Sequence, residues 1–180
     1  MKKTASVICL AAWVALGTGA AQSAPSALFA AGPAPTEKII EDIDRFLTAW
    51  HRAAEVADEE AYFGSLAAGA IFLGTDVHER WTKEEFQAWA APHFKKSSAW
   101  TFTASRRRVY LSADGNTAWF DEDLLSKSYW PCRGSGVLEK AGGSWRIRQY
   151  NLAFTIPNEA TAAIKPLVEA ALRKQGRQGE

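Results

Sequence analysis

The stretch from Trp100 to about Ile156 constrains this chain most, because its apolar residues recur at alternate positions and glycine turns break it at defined points. Asp114-Gly115 is a two-residue hairpin signal, Gly142-Gly143 is another, and a looser turn around Tyr129-Trp130-Pro131 lies between them. Four antiparallel strands are expected, at about 100–111, 117–128, 132–140 and 145–156. A sheet of that size has one face to cover, so helices must come from elsewhere in the chain.

They are legible on both sides of it. Ile39, Ile43, Phe46, Trp50 and Ala54 recur at three- and four-residue steps, which predicts a helix from near Thr36. Asp58 opens a shorter helical stretch carrying Tyr62, Phe63 and Leu66, and Ala70–Leu73 reads as a short buried strand. Thr82-Lys83-Glu84-Glu85 matches a capping box, so a third helix starts there, buries Phe86, Trp89 and Ala90, and ends at Pro92. Ile164, Leu167, Val168, Ala171 and Leu172 form a helical stripe near the end, with Pro166 marking a start or a kink. The class is α+β. With 180 residues, 47% of them hydrophobic, there is material for one core and not for two.

The first 21 residues read as a secretory signal. Lys2 and Lys3 precede an apolar run from Val7 to Leu16, and small residues follow up to Ala24. That run is shorter than the roughly 20 residues a spanning helix needs, so no stable membrane anchor is expected. The expected organisation is a signal at 1–21, a flexible lead at 22–35, one domain at 36–159, and a C-terminal helix and tail at 160–180. The expected location is periplasmic or secreted. Removing the signal leaves 19 basic against 20 acidic residues, a balance that gives no electrostatic grip on nucleic acid. It also leaves Cys132 alone, without an intramolecular disulfide partner.

Turn positions fix register, and register sorts side chains onto faces. A turn centred on Asp114-Gly115 sets Arg108 opposite Asp121 and Arg106 opposite Asp123, and the Gly142-Gly143 turn sets Glu139 opposite Arg146. Paired charges on one face describe a solvated exterior, on which Tyr110, Trp119, Val137, Tyr150 and Leu152 offer a dimer contact. The other face carries Val109, Ala118, Phe120, Leu138 and Ile147. The same arithmetic puts Glu122, Gln149 and Asn151 on that apolar face, with Gly136 opposite Gln149 and Gly134 opposite Asn151. Missing side chains beside polar groups describe a pocket floor. Pairing of Glu122 with Arg107, directly across from it, is the alternative reading and is compatible with a pocket.

Several segments carry a family likeness. Phe72-Leu73-Gly74-Thr75-Asp76 with Glu79-Arg80-Trp81 is one, Ala118-Trp119-Phe120-Asp121-Glu122 a second, and Arg133-Gly134-Ser135-Gly136-Val137-Leu138 a third. Trp145-Arg146-Ile147 and Tyr150-Asn151-Leu152 follow. In order and spacing the region from Thr36 to Glu159 resembles the SnoaL-like domains of the nuclear transport factor 2 superfamily. The resemblance implies a cone-shaped fold, a curved antiparallel sheet with N-terminal helices on one face, a pocket between them, and frequent homodimers through the sheet. That superfamily includes polyketide cyclases, ketosteroid isomerases, dehydratases, binding modules and oligomerisation domains, so the fold does not select a function. Related members often carry histidines at the positions of Gln149 and Asn151, which weakens transfer of a histidine mechanism.

Proton transfer next to a carbonyl, common among such enzymes, needs a carboxylate and a donor for the developing oxyanion. Glu122 is the first candidate base, with Gln149 or Asn151 as its polar partner. Asp76 is the second, against the plainer role of capping a turn. Trp50, Tyr62, Trp81, Phe86 and Trp89 are expected to line a pocket from the helix side. Phe72, Phe120 and Gly136 are expected to line it from the sheet. His51, His78 and His93 match no metal-ligand spacing, and neither a metal nor a cofactor is expected. Three functions stay open: binding of a small apolar molecule, proton-transfer catalysis, and a non-catalytic homodimeric module.

Overall fold

Why each element forms where it does is visible in the computed structural model, which describes residues 35–176. The expected signal and nearly all of the lead after it lie outside those residues. Helix α1 (Pro35–Glu55) turns Ile43, Leu47, Trp50 and Ala54 into the core. Asp58 caps helix α2 (Glu59–Gly64) by accepting from the Ala61 amide at 2.9 Å. Helix α3 (Lys83–Phe94) begins with the expected Thr82/Glu85 capping box and runs two residues beyond Pro92.

Among the described residues, six strands form one curved, unclosed sheet: β1 (Leu66–Leu73), β2 (Arg80–Thr82), β3 (Thr103–Leu111), β4 (Thr117–Leu125), β5 (Cys132–Ala141) and β6 (Ser144–Phe154). Their order is β2-β1-β6-β5-β4-β3. The last four make the expected antiparallel meander. The sheet as a whole is mixed, because β1 runs parallel to β6. No turn joins those two strands, so nothing local in the sequence marks the pairing.

The β3–β4 register is the expected one, with Arg107 opposite Glu122 and Arg108 opposite Asp121. In the β5–β6 hairpin, Gly142 and Gly143 both have positive φ (58° and 83°), which a two-residue turn matching strand twist requires. Pairing then starts as expected, with Glu139 opposite Arg146 and Leu138 opposite Ile147. The next pair is Val137 with Gln149. Arg148 is therefore an extra residue, a β-bulge, and every later side chain on β6 changes face. Arg148 is held outside by its own bonds, with Nη1 donating to the Ala68 carbonyl at 2.6 Å and its guanidinium 3.7 Å from Glu139.

This overturns part of the sequence reading. Gly136 faces Tyr150 rather than Gln149, and Gly134 faces Leu152 rather than Asn151. Tyr150 is buried on the inner face with Leu152 beside the core, so neither belongs to the outer patch. Gln149 and Asn151 take the opposite face.

Candidate active site between sheet and helix α1

A carboxylate with no access to solvent needs compensation for its charge. Glu122, on the inner face of β4, is fully buried and has three partners. His51 Nε2, from α1, lies 2.7 Å from Oε1, and the Tyr150 hydroxyl donates to the same oxygen at 3.0 Å. Arg107 Nε donates to Oε2 at 2.8 Å. Its Nη2 is as close to that oxygen, near enough for the charges to pair but without hydrogen-bond alignment. Arg107 in turn donates through Nη1 to the Asp44 side chain and carbonyl, each at 2.9 Å, and to Thr48 at 3.0 Å. The guanidinium thus ties α1 to the sheet directly behind the carboxylate.

Burial pushes the Glu122 carboxyl up, but the His51 bond and charge and then Arg107 outweigh it and hold the group below the ordinary carboxylate range. Glu122 is an anion and can only accept, so His51 Nε2 carries the proton of the shared bond and Nδ1 is left free of it. Burial, and next the Glu122 charge, push the Tyr150 hydroxyl well above its usual range, so it stays a donor.

The glycines explain how these groups fit. A Cβ at Gly134 would strike the Tyr150 hydroxyl and fall 2.7 Å from Glu122 Oε1. One at Gly136 would fall 2.8 Å from Cε1 of Phe120. The space above both glycines is taken by protein atoms, among them the Gln149 carbonyl at Gly136, so it is room for the Glu122 cluster and the Phe120 ring rather than an open pocket floor.

The open volume lies to one side, where a cavity of about 120 Å³ is walled by aromatic rings. Trp50, Tyr62, Phe72, Trp81, Phe86 and Trp89 all line it. Phe72 and Phe86 stack with centroids 3.8 Å apart, and Trp81 stacks on Trp89 at 4.9 Å. Phe120, Gly136, Gln149 and Asn151 do not line it, the last two because of the bulge. Glu122 does not reach it either. His51 and Tyr150 do. Sequence reasoning missed both: His51 was weighed only as a metal ligand, and Tyr150 was assigned to the wrong face. The spacing of Ile147, Tyr150 and Leu152, three residues and then two, was the available sign of a broken alternation. Asp76 is exposed in the β1–β2 turn, where it accepts from the His78 amide at 2.9 Å and so caps that turn.

The comparisons agree with this architecture. The sequence profile of the SnoaL-like domain matches residues 43–157, well over half of the chain, and the protein belongs to that family. An NTF2-like protein of unknown function from Pseudomonas putida KT2440 superposes with a TM-score of 0.57 at 12% identity, over 69% of this chain and 92% of its own. A candidate dehydratase of the NTF2-like family from Streptomyces avermitilis gives 0.57 at 15% identity, over 68% and 99%. A candidate ketosteroid isomerase from Parabacteroides distasonis gives 0.54 at 16%, over 66% and 89%. At such identities the likeness is one of fold. A comparison with functionally curated proteins finds no match.

Proposed function

We propose that this protein binds a small, flat, largely apolar molecule in the aromatic cavity and that the His51–Glu122 pair handles a proton on it. The cavity is close in size to apolar sites of ~150 Å³ that accept a single benzene ring. Aromatic walls favour a planar guest. What carries the reading is the pairing of a buried anion with a histidine that lines the cavity: Glu122 fixes the tautomer and stabilises the imidazolium, while His51 takes or returns the proton. Glu122, anionic and shared among three partners, serves as orienter and not as the base. Isomerisation, cyclisation and dehydration all use such a step, and two of the structural neighbours carry names of that kind. The reading includes export, supported by the basic, apolar and small-residue order of residues 1–24, and a second copy of the chain against Tyr110 and Trp119.

Titration of the purified protein with benzene, phenol and acetophenone, followed by tryptophan fluorescence, tests it. Saturable binding is expected, with His51→Leu weakening phenol about tenfold and benzene little. A response that never saturates for any of the three rejects the binding site. Equal loss for benzene and phenol rejects the role of His51.

A further inference from the structure

Beyond the cavity, helix α4 (Thr161–Lys174) poses an unanswered packing problem. Ile164, Leu167, Val168 and Ala171 make a stripe at helical spacing, yet no residue of α4 is buried, and Leu167 is 70% exposed. The stripe faces Phe154 and Ile156 across a trough of about 620 Å³. The helix is joined to β6 at its start through the short 3-10 turn Asn158–Ala160. Near its end, Gln175 Oε1 lies 3.2 Å from His78 Nε2 in the β1–β2 turn. Both ends are tethered and the apolar middle stands off the sheet.

The trough adjoins the aromatic cavity. Gly74, Thr75 and Leu152 line both, and Asn151, which misses the cavity, lines the trough. The two differ in character: rings wall the cavity, whereas aliphatic side chains of α4 form the far wall of the trough. From Ile164 to Ala171 the helix extends roughly 10 Å, the reach of an alkyl chain of roughly six to ten carbons.

We propose that cavity and trough form one site for an amphiphile, with a single-ring head against His51 and a linear aliphatic chain lying under α4. This rests on the reading that the cavity binds a small planar molecule. The chain would cover the stripe that the fold leaves exposed, which gives α4 its packing partner.

Para-alkylphenols, from phenol to para-octylphenol at concentrations below micelle formation, test the idea by fluorescence or calorimetric titration. Affinity is expected to rise about two- to fourfold per methylene over the first several carbons. Leu167→Asp and, separately, Val168→Asp are expected to flatten that slope, with circular dichroism confirming that the helix persists. Saturable phenol binding with no dependence on chain length overturns the trough and leaves the cavity reading standing. A slope that neither variant changes places the chain elsewhere and also overturns it. No binding by any member overturns both. Flattening accompanied by loss of a dimer on light scattering assigns the trough to a second copy and rejects the amphiphile.

Discussion

Gly134 lies directly beneath Glu122, so close that a Cβ on the glycine would sit 2.7 Å from Oε1 and 2.9 Å from Cγ of the carboxylate side chain. The buried ion cluster exists because one side chain on the neighbouring strand is missing.

Gly134→Ala is therefore expected to destabilise the protein by about 1–3 kcal/mol, the range for overfilling a packed interior. It should also displace Glu122 from His51. Urea unfolding measures the first, and the loss of phenol over benzene preference measures the second. An alanine variant with wild-type stability would show that the cluster has slack.

The state of Glu122 makes stability depend on acid. Its folded carboxyl titrates below the ordinary value near 4.5, so the folded state favours the anion more than the unfolded chain does. That contribution is fully present above the ordinary value and is lost as pH falls through the lower, folded one. Melting temperature is expected to drop steeply below pH 4.5 in the wild-type protein and less steeply in Glu122→Gln. Parallel acid limbs in the two proteins would assign the acid sensitivity to other groups.

Arg107 and Glu122 should behave as a unit. Arg107→Met leaves a fully buried anion with only His51 and Tyr150 and is expected to cost about 3–5 kcal/mol. Removing both charges with Arg107→Met and Glu122→Gln should cost less than the sum of the single changes, because neither partner is then stranded. Chemical denaturation of the four proteins in the cycle supplies the number. Strict additivity would contradict the pairing.

On the outer face, Tyr110 and Trp119 stack 5.8 Å apart with 40% and 46% of their surface exposed. If a second copy covers them, Trp119→Glu shifts a dimer to monomer in light scattering at micromolar concentration. A wild-type protein that is monomeric there rejects the contact.

Much of this fold was legible from local pattern. The capping box at Thr82, the Gly142-Gly143 turn and the stripe along α1 each specify their element within a few residues, and the first hairpin fixed Arg107 opposite Glu122. The site was legible only in part. Trp50, Tyr62 and Phe86 on the helices were identified because bulk and periodicity suffice to place them inward, whereas Trp89, expected buried, lines the cavity with 45% of its surface exposed. The polar residues were not identified, because their face depends on a count of residues along β6, and one bulge inverts the count. Gln149 and Asn151 looked like ligands on a core face; their polarity was instead the mark of a strand that had already turned over. The parallel pairing of β1 with β6 escaped for a different reason, since its partners are separated by most of the domain.

That extra residue at Arg148 lets a single strand speak two dialects. Its first half is written for the hairpin and its second half for the cavity, and the guanidinium is the punctuation between them. Pairing Arg148 into the ladder, in place of bulging it, would shift the reading frame of the second half by one letter. Tyr150 would then be sent out to water and Gln149 in toward Glu122, so the chain could keep its sheet and still lose the setting of its buried acid.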